Sequence, residues 1–441
     1  MDPFVIIIFF SSVIIISFFC NILAKKTNIP SVLMLIGVGL LVQPIISWTH
    51  VDIPEFQELE MLKILGNAGL VMIVLEGALD LELTKEKKGM IINSFLVALI
   101  ALAGSTVAIA SIIYWIYGII NPTVQFYDCL IYGIPLSIMS SAIIIPSVGG
   151  LSGDKKEFMV YESTFSDILG IMLFYFMVGN EEEAPYSVAA EVVLNIAATV
   201  VVSAIVAYGL VYIFQKLRTQ VKLFLIIAVL MLMFSLGKLF HLSALLIILA
   251  FGLVLRNPSI FFRGPLEKYV DKEKVKPIMH DFHILTLESA FVIRTFFFVL
   301  FGMFITLSTL FNWDVLTISV SIVASLYIVR WIVLKAILKT KIRPELWIAP
   351  RGLITILLFF GIASHPSHVI ADFNPGILLF VILITSLIMS VALILYRGEK
   401  VTEVLMPQIP LKILNKDKED KNDDPDLEKR IEQNVENQNF D

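Results

Sequence analysis

Two acids five residues apart, Glu162 and Asp167, lie in the stretch Tyr161-Glu-Ser-Thr-Phe-Ser-Asp-Ile168, just before an apolar run that ends at Val178. A charge inside an apolar span costs about 2.5–3.5 kcal/mol on insertion scales, so it marks function more often than decoration. Burial favours the neutral form of a carboxyl and a nearby cation favours the ionised form, so one buried carboxylate can trade a proton for a cation. Hard cations such as Na+ take oxygen ligands. Ser163, Thr164 and Ser166 place hydroxyls within about one turn of Asp167, and Ser140 and Ser141 offer more from an interrupted segment upstream. Five residues of helix turn through about 500°, so Glu162 and Asp167 point about 140° apart and cannot hold one ion together. Asp167 therefore reads as the ion and proton site. Glu162 reads as the acid of a structural ion pair, with Arg351 as its expected partner. Arg351 can also offset the negative C-terminal dipole ends of broken helices. Glu76, Arg294 and Arg330 are the remaining charges in apolar surroundings. Structural pairing and functional support suit both arginines equally.

Such residues need a membrane around them. Of 441 residues, 58% are hydrophobic and 16% charged, with a mean hydropathy of +0.87. Soluble domains run about 45–50% apolar and about 25% charged. The excess excludes a soluble enzyme and a disordered chain, and a net charge of −5 leaves no basic face for nucleic acid. With about 20 apolar residues needed per span, the sequence predicts thirteen spans: roughly 4–24, 31–47, 61–83, 90–118, 128–149, 157–179, 187–214, 222–239, 241–256, 288–309, 316–338, 345–364 and 375–396. The first begins without a basic leader and is expected to be a retained helix. Lys and Arg crowd the connections after odd-numbered spans, from Lys25 and Lys26 to Lys339, Lys341 and Arg343. Basic loops stay cytoplasmic, which predicts an external N-terminus and an internal C-terminus. Residues 1–396 are expected to form the membrane domain, in the cell membrane, and 397–441 a charged cytoplasmic tail, mostly disordered. Cys20 and Cys129 fall at opposite ends of their spans, too far apart to bond.

Two spans are interrupted in corresponding places. Span 5 carries Pro135, Met139-Ser-Ser-Ala142 and Pro146, and span 12 carries Ala349-Pro-Arg-Gly352. With span 7 as linker, two six-span halves follow, the second inverted. Inverted repeats with a broken helix in each half point to a secondary transporter.

These residues resemble the monovalent cation/proton antiporter superfamily, in its NhaP-like sodium/proton antiporter branch. The core-helix motif of that family is similar to Glu162-Ser163-Thr164-Phe165-Ser166-Asp167, and its broken-helix Leu-Arg-Gly to Trp347-Ile-Ala-Pro-Arg351-Gly-Leu353. Its span-3 pattern resembles Val74-Leu-Glu76-Gly77-Ala-Leu79-Asp80, and its span-10 pattern Phe296-Phe-Phe-Val-Leu-Phe-Gly-Met303. The resemblance implies an all-α polytopic fold in which two broken helices cross in a core domain that moves against a dimerisation domain, hence a homodimer. It also implies that the final aspartate binds ion or proton while the glutamate pairs with an arginine. Two positions depart from the pattern. Ser166 stands where the family has asparagine, and Met139-Ser140-Ser141 where it has Thr-Asp-Pro. Serines at the break also occur in the potassium-efflux type, so K+/H+ exchange is the alternative, and Li+ is a third candidate cargo. The lack of a second aspartate resembles the electroneutral branch.

Two other classes fit less well. Gly150-Leu-Ser-Gly153 matches a rhomboid-protease motif but lies beside Asp154, Lys155 and Lys156 in a loop, without a deep histidine to act as base. A channel needs symmetric pore elements, which an inverted pair does not supply. His280 and His283 are expected in a long solvated loop, and Glu181 to Glu183 in an external acidic one. No phosphate-binding or metal motif is present, so no cofactor is expected.

Overall fold

The computed structural model describes residues 3–27, 30–48, 60–84, 86–119, 121–151, 153–179, 201–210, 212, 222–239, 244–262, 272–304, 312–338, 342–363, 365–370 and 373–405. Among these the fold is all-α. In lipid every backbone N–H and C=O must be satisfied within the segment, which leaves helices as the form these apolar runs can take.

The elements are α1 (Pro3–Thr27), α2 (Ser31–Trp48), α3 (Glu60–Asp80), α4 (Lys88–Ile113), α5 (Phe126–Ser137), α6 (Ser141–Ser147), α7 (Gly153–Gly179), α8 (Val201–Leu210), α9 (Lys222–Leu239), α10 (Ala244–Arg256), α11 (Pro258–Phe261), α12 (Lys272–Phe304), α13 (Trp313–Leu338), α14 (Leu353–Ile362) and α15 (Gly376–Leu405). By length and apolarity, seven segments among the described residues can cross a membrane, including α1, α4, α7, α13 and the α5–α6 pair. Their outer faces are apolar: Ile7, Ile8 and Phe19 on α1, Leu99 and Ile100 on α4, and Ile328 and Ile332 on α13 are all exposed. Large exposed apolar faces on a folded chain require a non-aqueous neighbour. Trp115 and Trp313 are also exposed, at helix ends where aromatic rings suit the lipid–water boundary.

Contacts sort most of these helices into two groups. In one, α12 packs on α1, α2 and α3, and α10 packs on α3 and α9. We call it the panel. In the other, α4 packs on α5, α7 and α13, while α14 packs on α5 and α7. We call it the core. Within the core, an unbroken helix, a broken one and another unbroken one follow each other twice, as α4, α5–α6, α7 and as α13, the α14 segment, α15. The seam between the groups runs along α7, which meets α3 and α10.

The interruptions fall where Pro and Gly predicted them. The chain is extended at Ile138 and Ser140, between α5 and α6. Before α14, a short 3-10 turn at Glu345–Trp347 gives way to non-helical backbone through Gly352. Two expectations are corrected. Span 10 starts earlier than position 288, because α12 is helical from Lys272. His280 and His283 therefore sit on a helix rather than in a loop. The polar run Lys272-Glu-Lys-Val-Lys consists mostly of good helix formers, so the helix continues beyond the apolar stretch. Cys20 and Cys129 are free. Most of span 7, the acidic stretch Glu181 to Glu183 and the tail beyond Leu405 lie outside the described residues. Contacts divide the chain into Met1–Ile394 and Leu395–Asp441.

Candidate ion-binding site

The two breaks cross in contact. The Ser140 amide donates to the Pro350 carbonyl at 2.9 Å. A Cβ on Gly352 would lie 2.5 Å from Ser140 Oγ, so only glycine lets the second break pass this close to the first. From α15, Thr385 accepts a hydrogen bond from the Arg351 amide at 3.1 Å.

Helix α7 lies against this crossing and holds the first break by successive residues. Ser166 Oγ accepts the Met139 amide at 3.0 Å, and Asp167 Oδ2 accepts the Ser141 amide at 3.1 Å. One turn on, Gly170 leaves room for Ile138, whose Cγ1 would overlap a Cβ there. Breaking α5 from α6 is what frees the Met139 and Ser141 amides for side chains to take. Asp167 is 5% exposed, and its Oδ1 has no hydrogen-bond partner among the described residues. A buried carboxylate oxygen left open in this way has capacity for a proton or a cation. Ser163, one turn earlier on the same face, donates its hydroxyl to the Val160 carbonyl at 3.2 Å and keeps acceptor capacity.

Glu162 points elsewhere, as the helical offset requires. It is fully buried, and both its oxygens accept from Arg330 of α13, one through Nη1 and the other through Nη2 at 3.0 Å. This corrects the expected partner, Arg351. Arg330 is the arginine that crosses α7 at the level of Glu162, and it also donates to the carbonyls of Glu345 and Leu346, pinning the turn that precedes the second break. The N–H groups of Arg351 are engaged differently. Nε donates to the Leu136 carbonyl at 2.9 Å, Nη2 to that of Ser137 at 3.2 Å, and Nη1 to that of Ala349. The guanidinium thus sits on the C-terminal carbonyls of α5, where a positive charge complements the helix dipole. A small cavity of mixed character is lined by Ser105, Ser137, Ser166, Glu162, Arg330 and Arg351 together with apolar side chains such as Leu102 and Leu326.

Across the seam, a Cβ on Gly77 of α3 would come within 3.1 Å of Thr164 Cγ2 on α7, so the charged end of α3 runs beside the site. Glu76 is bound by Arg294 of α12, whose Nη1 donates to Oε2 at 2.7 Å and Oε1 at 2.9 Å. One turn on, Asp80 Oδ1 lies 2.9 Å from Nε2 of His283. A comparable pair joins Asp128, in the first turn of α5, to Nδ1 of His368 at 2.8 Å. Sequence reading had not paired Asp80, Asp128, His283 or His368. The signal available was a histidine close to an apolar segment, which is weak without contacts. Of the four buried acids Glu76, Glu162, Asp167 and Glu345, three are bound to a basic side chain, with Glu345 held by Lys155, while Asp167 makes no salt bridge among the described residues.

A model of the sodium/hydrogen exchanger transmembrane family matches residues 14–396. Among solved structures, the chain is similar to the sodium proton antiporter MjNhaP1 from Methanocaldococcus jannaschii at pH 8, with a TM-score of 0.65 and 17% identity over 90% of this chain and 100% of that one. A second structure of MjNhaP1, from an electron-microscopy map, gives a TM-score of 0.63 and 19% identity over 92% and 99% of the two chains. No curated protein sequence matches. At these identities the solved structures establish the fold, while the family match over most of the chain establishes kinship. The chain belongs to the sodium/hydrogen exchanger family: it is a multi-pass protein of the cell membrane and a cation/proton antiporter.

Proposed function

We propose that the protein exchanges Na+ for H+ by alternating access, one ion for one proton, and that Asp167 carries each in turn. The observation that supports this is the state of the buried acids. Glu76, Glu162 and Glu345 are each held by a basic side chain, while Asp167 keeps an open, buried oxygen beside the crossed breaks. A proton on Asp167 and a monovalent cation beside its ionised form give the site the same total charge, so neither loaded form favours one sign of membrane potential. Ser163, Ser141 and Ser140 complete an oxygen-rich surround, Ser166 fixes the break beneath it, and the Glu162–Arg330 pair holds α7 to α13. The basic connections argue for an external N-terminus and an internal C-terminus. A panel with broad exposed apolar faces suits a homodimer in the bilayer, with residues 1–396 as the transport domain and 397–441 as the tail.

K+ is the second reading. Its support is Ser140-Ser141 at the break, where the resemblance would place an aspartate and a more strongly charged cage. The test is the purified protein in liposomes holding a pH-sensitive dye, challenged with Na+, Li+ and K+ in turn. Saturable proton movement driven by Na+ is expected. Proton movement driven by K+ alone would overturn the Na+ assignment, and none with any cation would overturn the reading itself.

A further inference from the structure

The connection from α3 to α4 joins the panel to the core, and the chain holds it in a specific way. Asn257, at the end of α10 and 3% exposed, spends its whole side chain on this task. Its Nδ2 donates to the Leu81 carbonyl at 2.9 Å and to the Leu253 carbonyl of its own helix at 3.0 Å, and its Oδ1 accepts the Leu83 amide at 2.7 Å. Next to it, Arg256 Nη2 reaches the Glu82 carboxylate at 3.2 Å. The bonds to Leu81, Leu83 and Glu82 tie residues 81–83 to the panel. From the core side, the Tyr161 hydroxyl of α7 donates to the Glu82 carbonyl.

We propose that Leu81–Leu83 is a strap clamped to the panel by Asn257, and that the Tyr161–Glu82 bond is a latch, made in this conformation and broken when the core moves. Any displacement of α7 along the panel leaves residues 81–83 with α10, because Asn257 holds both a carbonyl and an amide there. Residues 81–83 then keep their place on α10 while α4, from Lys88, follows the core. The latch has a single hydrogen bond and the clamp has two plus an ion pair, so the latch yields first. Tyr161 lies beside Glu162 in the chain but its hydroxyl serves the strap, which makes it a positioning residue. The inference rests on the alternating-access reading.

The test uses the full-length protein in two independent measurements. Amide hydrogen exchange over residues 81–84 reads the clamp without any transport. Asn257→Ala is expected to speed it at least about tenfold, and unchanged exchange would overturn the clamp even if transport proved normal. Dye-reported exchange in liposomes reads the latch. Tyr161→Phe is expected to change the maximal rate about threefold or more at unchanged cation KM, with protection of 81–84 kept. Wild-type rates in Tyr161→Phe, or a change in KM alone, would overturn the latch. Should the wild type move no cation, the alternating-access reading fails, and the latch with it, while the hydrogen-exchange result still decides the clamp.

Discussion

At the scale of single residues, the proposed chemistry rests on one open carboxylate oxygen, that of Asp167. Asp167→Asn keeps the side chain's size and an acceptor for the Ser141 amide but removes the group that ionises. It is expected to abolish proton-driven exchange in liposomes while the protein still purifies as a folded species. Exchange at wild-type rates would remove Asp167 from the mechanism. Glu162→Gln is expected to act on stability instead. Removing one member of a buried pair leaves the other charge stranded and costs about 3–5 kcal/mol, read as a lower Tm in detergent. A double-mutant cycle should show strong coupling of Glu162 to Arg330 and weaker coupling of Glu162 to Arg351. The divergence of Glu162 from Asp167 was legible in the sequence, because helix geometry alone sets it. The choice between Arg330 and Arg351 was not. It depends on which helix passes Glu162, and both arginines lie in apolar surroundings at plausible depth. The expectation that Arg351 relieves helix-end dipoles matches its contacts with the Leu136 and Ser137 carbonyls.

At the scale of elements, the crossing depends on how closely two backbones approach. Gly352→Ala would set a methyl 2.5 Å from Ser140 Oγ and force the breaks apart. Exchange is expected to fall about tenfold or more, with helical content by circular dichroism unchanged. Full activity would mean that the contact carries no functional weight. Both breaks could be placed from the sequence, since Pro135, Pro146, Pro350 and Gly352 interrupt otherwise continuous apolar runs. The start of α12 could not. Span detection follows apolarity, and the first turns of α12 are polar, so a helix leaving the apolar layer looks the same in sequence as a loop beside it. The pairing of His283 with Asp80 was hidden for the same reason, since a residue assigned to a loop has no defined face.

At the scale of the whole molecule, composition and the order of motifs carried most of the information. No single motif is specific, and solved structures with 17–19% identity lie far from this sequence, yet Glu76, Asp167 and Arg351 stand in one order along one alternation of helices in this chain. The groups that assemble the site come from α3, α5, α6, α7, α12, α13, the α14 segment and α15, and only the folded chain shows which of them touch. One prediction belongs at this scale. With Asp167 as the single exchangeable carboxyl we propose, the initial rate of exchange is expected to stay the same, within about 20%, when a membrane potential is imposed across the liposome at equal ion gradients. A several-fold change with the sign of the potential would require a second charge to move.

The open oxygen of Asp167, as the proposed single carrier of ion and proton, also sets how far such a protein can work. A carrier that trades one proton for one cation stops when the two concentration ratios across the membrane are equal. A difference of one pH unit then balances a tenfold cation ratio, about 1.4 kcal/mol, whatever the electrical state of the membrane. Under the proposed one-for-one exchange, a cell using this protein could neither pump cation beyond its own pH difference nor spend its membrane voltage through it. Cation content and internal acidity would rise and fall together.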